Sequence, residues 1–268
     1  MKALRPTEPL APTSRVGPRV RPVPAVTRSI AILRLLGDSG PMGVKAIADS
    51  LGLVPSTCLH ILRVLVEEEL VSIDPSTKRY SIGSGMLSLA RSALRSGGFA
   101  DLVQPYLGEL SSKYGVTAIG VEPSGLEHMV VKALSASELP VSLHVELGSR
   151  FPALISATGR CVAAFGPYTP DQLESSFRSL HWQNPPEFST WVKEVEITRK
   201  RGFAVDRGNY IAGVVVVAAP VLNSRGNMSY GLAGVGLLTQ LDSSAVNSLA
   251  ADLFKAAQEL SSRLVSLR

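Results

Sequence analysis

Cysteine and histidine are scarce in this sequence, which has two cysteines and four histidines among 268 residues. Cys58 and Cys161 are too few for a disulfide framework, and such a composition is typical of a protein that works in the reducing cytoplasm. A glycine-rich phosphate loop is also missing, so we expect no nucleotide cofactor. No metal site is expected either, because the histidines have no metal-ligand spacing. The histidines are His60, His128, His144 and His181.

Long apolar runs are missing as well. The longest, from Ile211 to Leu222, is too short to cross a bilayer and is rich in valine, so it predicts a buried strand. The first residues contain no apolar segment of the kind that directs secretion. From the sequence we therefore expect no contact with a membrane.

Positive charge is unevenly distributed. The formal net charge is +5; residues 1–83 hold 11 basic and 7 acidic residues, whereas residues 84–268 hold 16 and 15. Residues 1–26 contain six prolines and five basic residues against one acidic residue, a composition that predicts a disordered tail. Such a tail either adds weak affinity for nucleic acid or has no role. The surplus of charge in the first third favours a polyanionic partner.

Residues 27–83 contain, in order, a helix, a short helix, a tight turn, a longer helix and a polar hairpin, which predicts a winged helix-turn-helix. Thr27 is the expected N-cap of the first helix, and Gly52 supplies the turn. Pro55 suits the first position of the longer helix. Any one of these helices could be an ordinary core helix, but their order favours DNA binding. The expected buried stripe of the first helix is Ile30, Leu33, Leu35 and Leu36.

The longer helix has an apolar face, made by Leu59, Leu62, Leu65 and Val66, and an opposite polar face. Side chains on the polar face can donate hydrogen bonds to phosphates or base edges. The hairpin tip at residues 74–79 carries two positive charges, where a phosphate backbone would pass. The predicted DNA contacts are Arg28, Ser56, Thr57, His60, Arg63, Lys78 and Arg79.

The remainder predicts a linker helix over residues 84–99 and an α+β domain with an antiparallel sheet over 100–268. The apolar surface of the linker helix is also a candidate for pairing between subunits. Helices are predicted at 101–114, 156–165, 170–180, 188–201 and 243–265, and strands at 116–121, 128–133, 141–147, 203–206, 214–222 and 230–238.

Three segments of this sequence resemble the isocitrate lyase regulator (IclR) family of bacterial transcription factors. They are ADSLGLVPST with the wing DPSTKRYSIG, then GSRFPALISATGRCVAAF at 148–165, and RGFAVDRGNYIAGVVVVAAPV at 201–221. The resemblance covers residues 26–266. It implies a GAF-like effector-binding domain, a homodimer or homotetramer, binding to a palindromic or repeated DNA operator, and no enzymatic activity.

The resemblance also implies an effector cavity between the sheet and the junction of strand and helix near residue 155. Free N–H groups at that helix start suit an anionic group, although a simple structural junction has the same pattern. Val216 stands where relatives that bind small keto acids have cysteine, and Gly234 and Gly236 stand where they have serine-type residues. We therefore expect a roomier, less polar cavity and a larger effector, such as an aromatic or other hydrophobic acid. The implied lining is Leu143, His144, Phe151, Ala157, Thr158, Asp206, Val216, Gly234 and Gly236.

Two other functions are weighed against a ligand-responsive regulator. Cys161, with His128 or His144, could form a nucleophile and base. However, Cys161 lies within the apolar segment CVAAF, where a cysteine behaves as a small hydrophobic residue. The other alternative is a DNA-binding regulator with a vestigial pocket, because glycines at 234 and 236 are compatible with a collapsed cavity.

Overall fold

The computed structural model describes residues 23–95, 98–136 and 145–266. The chain divides into two compact units between Arg91 and Ser92, inside the predicted linker segment. The first unit and the helix that carries this boundary comprise α1 (Pro24–Ser39), β1 (Met42–Gly43), α2 (Val44–Leu51), α3 (Pro55–Glu67), β2 (Val71–Ile73), β3 (Arg79–Ile82) and α4 (Gly85–Arg95).

Helix α1 starts earlier than predicted. It begins at Pro24, which is compatible with a first helical turn because proline lacks only an N–H that has no acceptor there. Thr27 is therefore inside the helix, where its hydroxyl donates to the Val23 carbonyl at 3.2 Å, and the prediction that it caps the helix was wrong. The buried stripe is correspondingly shifted: Ile32 is fully buried, whereas Ile30 is 43% exposed.

The wing is a three-stranded antiparallel sheet with the order β1-β3-β2. Sequence patterns predicted β2 and β3 but missed β1, whose two residues pair with Tyr80 and Arg79. A strand of two residues has no periodicity to detect. The core of this unit includes Ile32, Ile47, Leu62 and Tyr80, so the wing packs onto the helices through its buried tyrosine.

The second unit is a six-stranded, wholly antiparallel sheet with helices on both faces, and its mixed α+β class confirms the prediction. The strand order is β6-β5-β4-β9-β8-β7. Its elements are α5 (Phe99–Tyr114), β4 (Thr117–Ser124), β5 (His128–Ser135), β6 (Arg150–Pro152), α6 (Ser156–Phe165), α7 (Pro170–Arg178), α8 (Phe188–Arg201), β7 (Ala204–Arg207), β8 (Val214–Leu222), β9 (Met228–Leu237) and α9 (Ser243–Ser266).

Strand β8, which lies between β9 and the edge strand β7, is buried on both faces, which accounts for its continuous apolar sequence. Val215 and Val217 face a core formed with α5 and α9. The alternate residues Val216 and Ala218 face a second core that includes Cys161 of α6. Because successive strand residues point to opposite faces, this register decides which side chains reach the α6 side of the sheet.

Most predicted strands end within two residues of the observed ones, but two differ more from the structure. Strand β4 continues through Ser124, whereas the predicted strand ends at residue 121, so the turn to β5 lies at residues 125–127. The cause is that Pro123 pairs with Met129 within the ladder, where its missing N–H does not end the strand. Of the strand predicted at 141–147, residues 145–147 are not in a strand, and residues 141–144 lie outside the described residues.

Candidate functional site

The first unit presents a helix-turn-helix. The chain bends by 114° between α2 and α3. Gly52 makes the bend with φ +61°, a left-handed conformation that favours glycine, and the Leu53 N–H donates to the Ala48 carbonyl at 2.8 Å. Pro55 then begins α3, as predicted. A bend of this size between two short helices is typical of DNA-binding helix-turn-helix motifs.

Helix α3 has one buried and one exposed face. Cys58, Leu62 and Leu65 are buried, so their spacing of three and four residues defines the inner face. Leu59, which was predicted to be buried, is only half-buried. On the outer face Ser56, His60 and Arg63 are exposed at spacings of four and three residues, and Thr57 is half-buried. The polar residues predicted to contact DNA therefore share one accessible surface.

The wing tip is a turn in which several hydrogen bonds converge on Asp74. Its carboxylate accepts hydrogen bonds from the Ser76 hydroxyl at 2.6 Å and the Thr77 hydroxyl at 2.8 Å, and from the Ser76 N–H at 2.8 Å. These bonds hold the pKa of Asp74 well below its usual range. Lys78 follows in the left-handed region with φ +55°. Lys78 and Arg79 are both exposed, as is Arg28 on α1.

The second unit contains a cavity of about 120 Å³ on the α6 side of the sheet. Nine of its thirteen lining residues are apolar, and the polar ones are Ser156, Thr158, Asp206 and Tyr210. Of the residues predicted to line an effector cavity, four lie around it together. Those four are Phe151, Thr158, Asp206 and Val216.

The N-terminus of α6 faces this cavity. The Gly159 N–H donates to the Ile155 carbonyl oxygen at 2.8 Å, which is the first hydrogen bond of the helical turn. The preceding N–H groups, from Ser156 to Thr158, belong to the first turn of the helix and have no acceptor within it. Ser156 has φ +60°, and its buried hydroxyl has no hydrogen-bond partner. A buried hydroxyl without a partner loses the hydrogen bonds that water would provide, and a polar ligand group would restore them.

A short loop after β7 forms another part of the cavity wall. Asp206 is 2% exposed, and its carboxylate accepts from the N–H groups of Asn209 at 3.1 Å and Tyr210 at 3.3 Å. The loop is also held from outside, because the Asn184 side chain donates to the Gly208 carbonyl at 2.7 Å. Burial raises the pKa of Tyr210, so its hydroxyl stays neutral and able to donate.

Gly234 and Gly236 do not line the cavity. They pair with Val217 and Val215, which face α5 and α9, whereas Val235 pairs with Val216 and lines the cavity with it. A Cβ at position 234 would lie 3.0 Å from Leu249 on α9, and one at 236 would lie 2.7 Å from Leu241. The prediction that Gly234 and Gly236 line the cavity was wrong, because successive residues of a strand point to opposite faces of the sheet and the residue between them faces the cavity. These glycines therefore neither enlarge nor collapse the cavity.

The other predicted lining residues differ in position. Ala157 is fully buried in the core on the α6 side of the sheet and is not among the residues that line the cavity. Leu143 and His144 lie outside the described residues. The structure adds Tyr210 and Ile211 from the loop after β7, which the sequence analysis missed because a loop has no periodicity.

Arg160 is a further residue that the sequence analysis missed. It is 1% exposed, and its guanidinium donates to Glu194 Oε2 at 2.7 Å, to the Ser156 carbonyl at 2.9 Å and to Asn209 Oδ1 at 3.1 Å. It therefore connects α6, α8 and the loop after β7. Its position in the segment ATGR was the only sequence feature that pointed to Arg160, but the segment alone does not show which residues its side chain contacts.

Cys161 has no features of a nucleophile. It is fully buried, its Sγ lies 3.6 Å from the Ala218 carbonyl oxygen, and burial raises the pKa of its thiol to about 12. At neutral pH the thiol is protonated, whereas a nucleophilic cysteine needs a thiolate. In the described ranges there is also no group of three His, Cys, Asp or Glu residues placed to hold a metal ion.

No single helix in the described part of the chain is both long and apolar enough to cross a membrane. Helices α2 and α3 reach that composition only when they are taken together, and the bend of 114° separates them. Their apolar residues are those that form the core of the first unit.

Two family models match the chain. The IclR helix-turn-helix domain matches residues 25–75, and the C-terminal domain of the bacterial transcriptional regulator IclR matches residues 91–262. The chain belongs to the IclR family. It is therefore a DNA-binding transcriptional regulator, and the family resemblance drawn from the sequence is confirmed.

Curated relatives of this IclR-family protein match along most of their length. The glycerol operon regulatory protein of Streptomyces griseus is 30% identical over 221 residues, which cover 80% of this chain and 85% of that protein. An uncharacterized HTH-type regulator of Escherichia coli strain K12 is 28% identical over 245 residues, which cover 89% of this chain and 92% of that protein. These relatives are transcriptional regulators.

Solved structures share the fold. An IclR transcriptional regulator from Alicyclobacillus acidocaldarius has a TM-score of 0.78 at 24% identity, covering 91% of this chain and 99% of that chain. An IclR homologue from Microbacterium hydrocarbonoxydans, solved in complex with 4-hydroxybenzoate, has a TM-score of 0.74 at 17% identity, covering 90% and 99%. At these identities the likeness establishes the architecture of both units.

Proposed function

We propose that this IclR-family regulator controls a catabolic operon and that a small aromatic carboxylic acid, bound in the α6 cavity, sets its affinity for operator DNA. The observation that carries the proposal is the buried Ser156 hydroxyl. It has no partner and lies at the N-terminus of α6 in a mostly apolar cavity. The carboxylate of an effector would give the Ser156 hydroxyl a hydrogen-bond partner, and its apolar body would pack against the apolar side chains of the cavity.

The size and polarity of the cavity support an aromatic effector over a small keto acid. Its volume of about 120 Å³ is close to the roughly 150 Å³ of an engineered cavity that binds benzene. Val216 and Val235 place two aliphatic side chains side by side on its floor. Asp206 and Tyr210 supply polar contacts that a ring hydroxyl would satisfy. The related structure from Microbacterium hydrocarbonoxydans holds 4-hydroxybenzoate, a hydroxylated aromatic acid.

For the DNA-binding half, we propose that Ser56, Thr57, His60 and Arg63 enter the major groove. Their shared exposed face on α3 supports this, since the second helix of the motif is the one that reads bases. Lys78 and Arg79 would then contact the phosphate backbone beside the groove. Arg28 would add a further phosphate contact from α1.

We also propose that the protein binds DNA as a homodimer or as a pair of dimers. Exposed apolar side chains on α1 and α4 support pairing between copies: Val26 is 55% exposed, and Leu87 and Leu89 are 64% and 57% exposed. A two-fold symmetric dimer would place two recognition helices in successive major grooves. The operator is then a palindrome or a repeat with half-sites about one helical turn apart.

The decisive experiment is a fluorescence anisotropy titration of the full chain on the DNA upstream of its own gene, at fixed salt. It would be repeated with a panel of aromatic acids, including 4-hydroxybenzoate, and with pyruvate and glyoxylate. We expect one aromatic acid to shift the midpoint, because a ligand changes DNA affinity when it binds one conformation better than the other. Tight binding of pyruvate with no binding of any aromatic acid would contradict the effector class.

A matched pair of variants localises the effect. Val235→Phe fills the cavity from its floor and should abolish the response to the acid while leaving affinity for DNA intact. Arg63→Gln should weaken DNA binding while leaving the binding of the acid intact, as measured by calorimetry. Loss of both functions in either variant would mean that it has unfolded, so circular dichroism is measured on both. Operator binding that no acid changes would favour a vestigial pocket.

A further inference from the structure

A second cavity, of about 330 Å³, lies beside the edge strand β7. Arg160 from α6, Glu194 and Arg201 from α8, and Arg207 from β7 all contribute to its lining. Asp206, between Val205 and Arg207 on the same strand, lines the α6 cavity instead. The two cavities therefore lie on different sides of β7.

The charges around this second cavity are not balanced. Three guanidinium groups and one carboxylate line it, and that carboxylate, Glu194, is already paired with Arg160 at 2.7 Å. Within the described ranges, Arg201 and Arg207 form no ion pair. The Nε of Arg201 donates to the Phe203 carbonyl at 2.7 Å, and its guanidinium lies 4.4 Å from the centre of the Phe203 ring, which fixes the group in place. Glu194 also attracts Arg201, but one carboxylate among three guanidinium groups leaves a surplus of two positive charges at one concave site.

The donors at this site suit an oxyanion. Guanidinium groups bind phosphate and carboxylate oxygens through parallel N–H donors, and such charge-assisted hydrogen bonds are about twice as strong as neutral ones. Arg160 is held by three hydrogen bonds and is almost wholly buried, so one wall is rigid before any ligand arrives. Ile197, which is 50% exposed, adds an apolar edge against which the carbon skeleton of a ligand could pack.

We propose that this cavity is a second ligand site, which binds a small dianion: a phosphate monoester or a dicarboxylate. Arg201 and Arg207 neutralise its two charges, and the Arg160 wall positions it. The site is separate from the α6 cavity, so the proposal does not depend on the identity of the aromatic effector.

The test is isothermal titration calorimetry on the full chain at about pH 8 and constant ionic strength, with inorganic phosphate and with succinate as probes. We expect saturable binding of at least one probe with a stoichiometry of one per chain. Binding of phosphate alone would identify a phosphate site, and binding of succinate alone a dicarboxylate site. Absence of saturable binding by either probe at millimolar concentrations would overturn the proposal.

Single substitutions test whether the dianion binds in this cavity or is attracted only by the net positive charge of the protein. Arg207→Gln removes an exposed, unpaired charge from the lining and should weaken binding at least about tenfold, as for the loss of a hydrogen bond to a charged group. Ile197→Glu, at an exposed position, should weaken it further by placing a carboxylate at the rim. Lys200→Gln is the matched control, because it removes the same charge from the last turn of α8 but does not line the cavity.

Three results would refute the assignment. The first is equal weakening by Lys200→Gln and Arg207→Gln, which would indicate attraction by net charge alone. The second is binding by Arg207→Gln as tight as that of the original chain. The third is loss of binding in Val235→Phe with retention in Arg207→Gln, which would place the dianion in the α6 cavity. The same Val235→Phe protein should lose the response to the aromatic acid, so failure of this proposal and failure of the proposed function are distinguishable.

Discussion

Replacing Gly159 by alanine tests whether the start of α6 is placed as the structure shows. A Cβ at this position would lie 1.9 Å from the carbonyl carbon of Leu154 and 2.1 Å from its oxygen. Ordinary contact begins at about 3.4 Å, so α6 and the segment before it must separate by about 1.5 Å. Leu154 is 1% exposed and packed in the core, which resists that movement.

The expected loss of stability follows from two opposing effects. Replacing a helical glycine by alanine favours folding by about 1 kcal/mol, because glycine has more conformational freedom to lose. Overpacking a rigid core costs about 1–3 kcal/mol, and more where backbone has to move, as here. We expect the steric effect to win and the free energy of unfolding of the second unit to fall by about 3 kcal/mol.

The assay is urea unfolding followed by tryptophan fluorescence. The chain has two tryptophans, Trp182 and Trp191, and both belong to the second unit, so the signal reports on that unit. With a dependence on urea of about 2 kcal/mol per molar, the midpoint should fall by about 1.5 M. Gly108→Ala is the control: it also lies in a helix, but its Cβ would meet nothing within 4 Å, so it should stabilise the unit slightly. A Gly159→Ala protein as stable as the Gly108→Ala protein would refute the reasoning.

Three further predictions concern the two functional surfaces and the buried thiols. Arg63→Ala should weaken binding to the operator by about 1–3 kcal/mol in anisotropy titrations, the cost of one lost base contact, and unchanged affinity would mean that the recognition face is misplaced. Lys78→Gln should reduce the slope of log affinity against log salt concentration by about one, as for one lost phosphate contact, and an unchanged slope would remove the wing tip from the interface. Burial raises the pKa of Cys161 to about 12 and also raises the pKa of Cys58. Neither thiol should therefore react with iodoacetamide at pH 8 until the chain unfolds in urea. Rapid labelling of the folded protein, detected by mass spectrometry, would contradict the burial of both thiols.

The sequence predicted best those elements whose boundaries depend on local chemistry. Pro55 at the first position of α3, and the glycine turn before it, specify that junction without help from the rest of the fold. Helices α6 and α8 and strand β8 were predicted with their observed bounds, because each has a clear run or period and a distinct terminus. The start of helix α1 was harder to predict, because two prolines and a threonine near it are each compatible with the first turn of a helix.

The cavity was predictable only in part. The family resemblance implied Val216 and Asp206 correctly, but whether Gly234 and Gly236 face the cavity depends on the register of β9 against β8. That register is set by long-range pairing, and a slip of one residue reverses the face of every side chain. The hydrogen bonds of Arg160 join residues 34 and 49 positions away, which no local pattern encodes.

Asn209 lines the second cavity and is hydrogen-bonded to Asp206, which lines the first. Its side chain accepts from Arg160 beside the second cavity, and its backbone N–H donates to Asp206, which lines the first. A substitution at this position removes the side-chain acceptor of Arg160, whereas the backbone N–H that donates to Asp206 stays in place. Because Arg160 also donates to the Ser156 carbonyl, a change at residue 209 reaches the α6 cavity through Arg160, whereas a change at Val235 acts on that cavity directly.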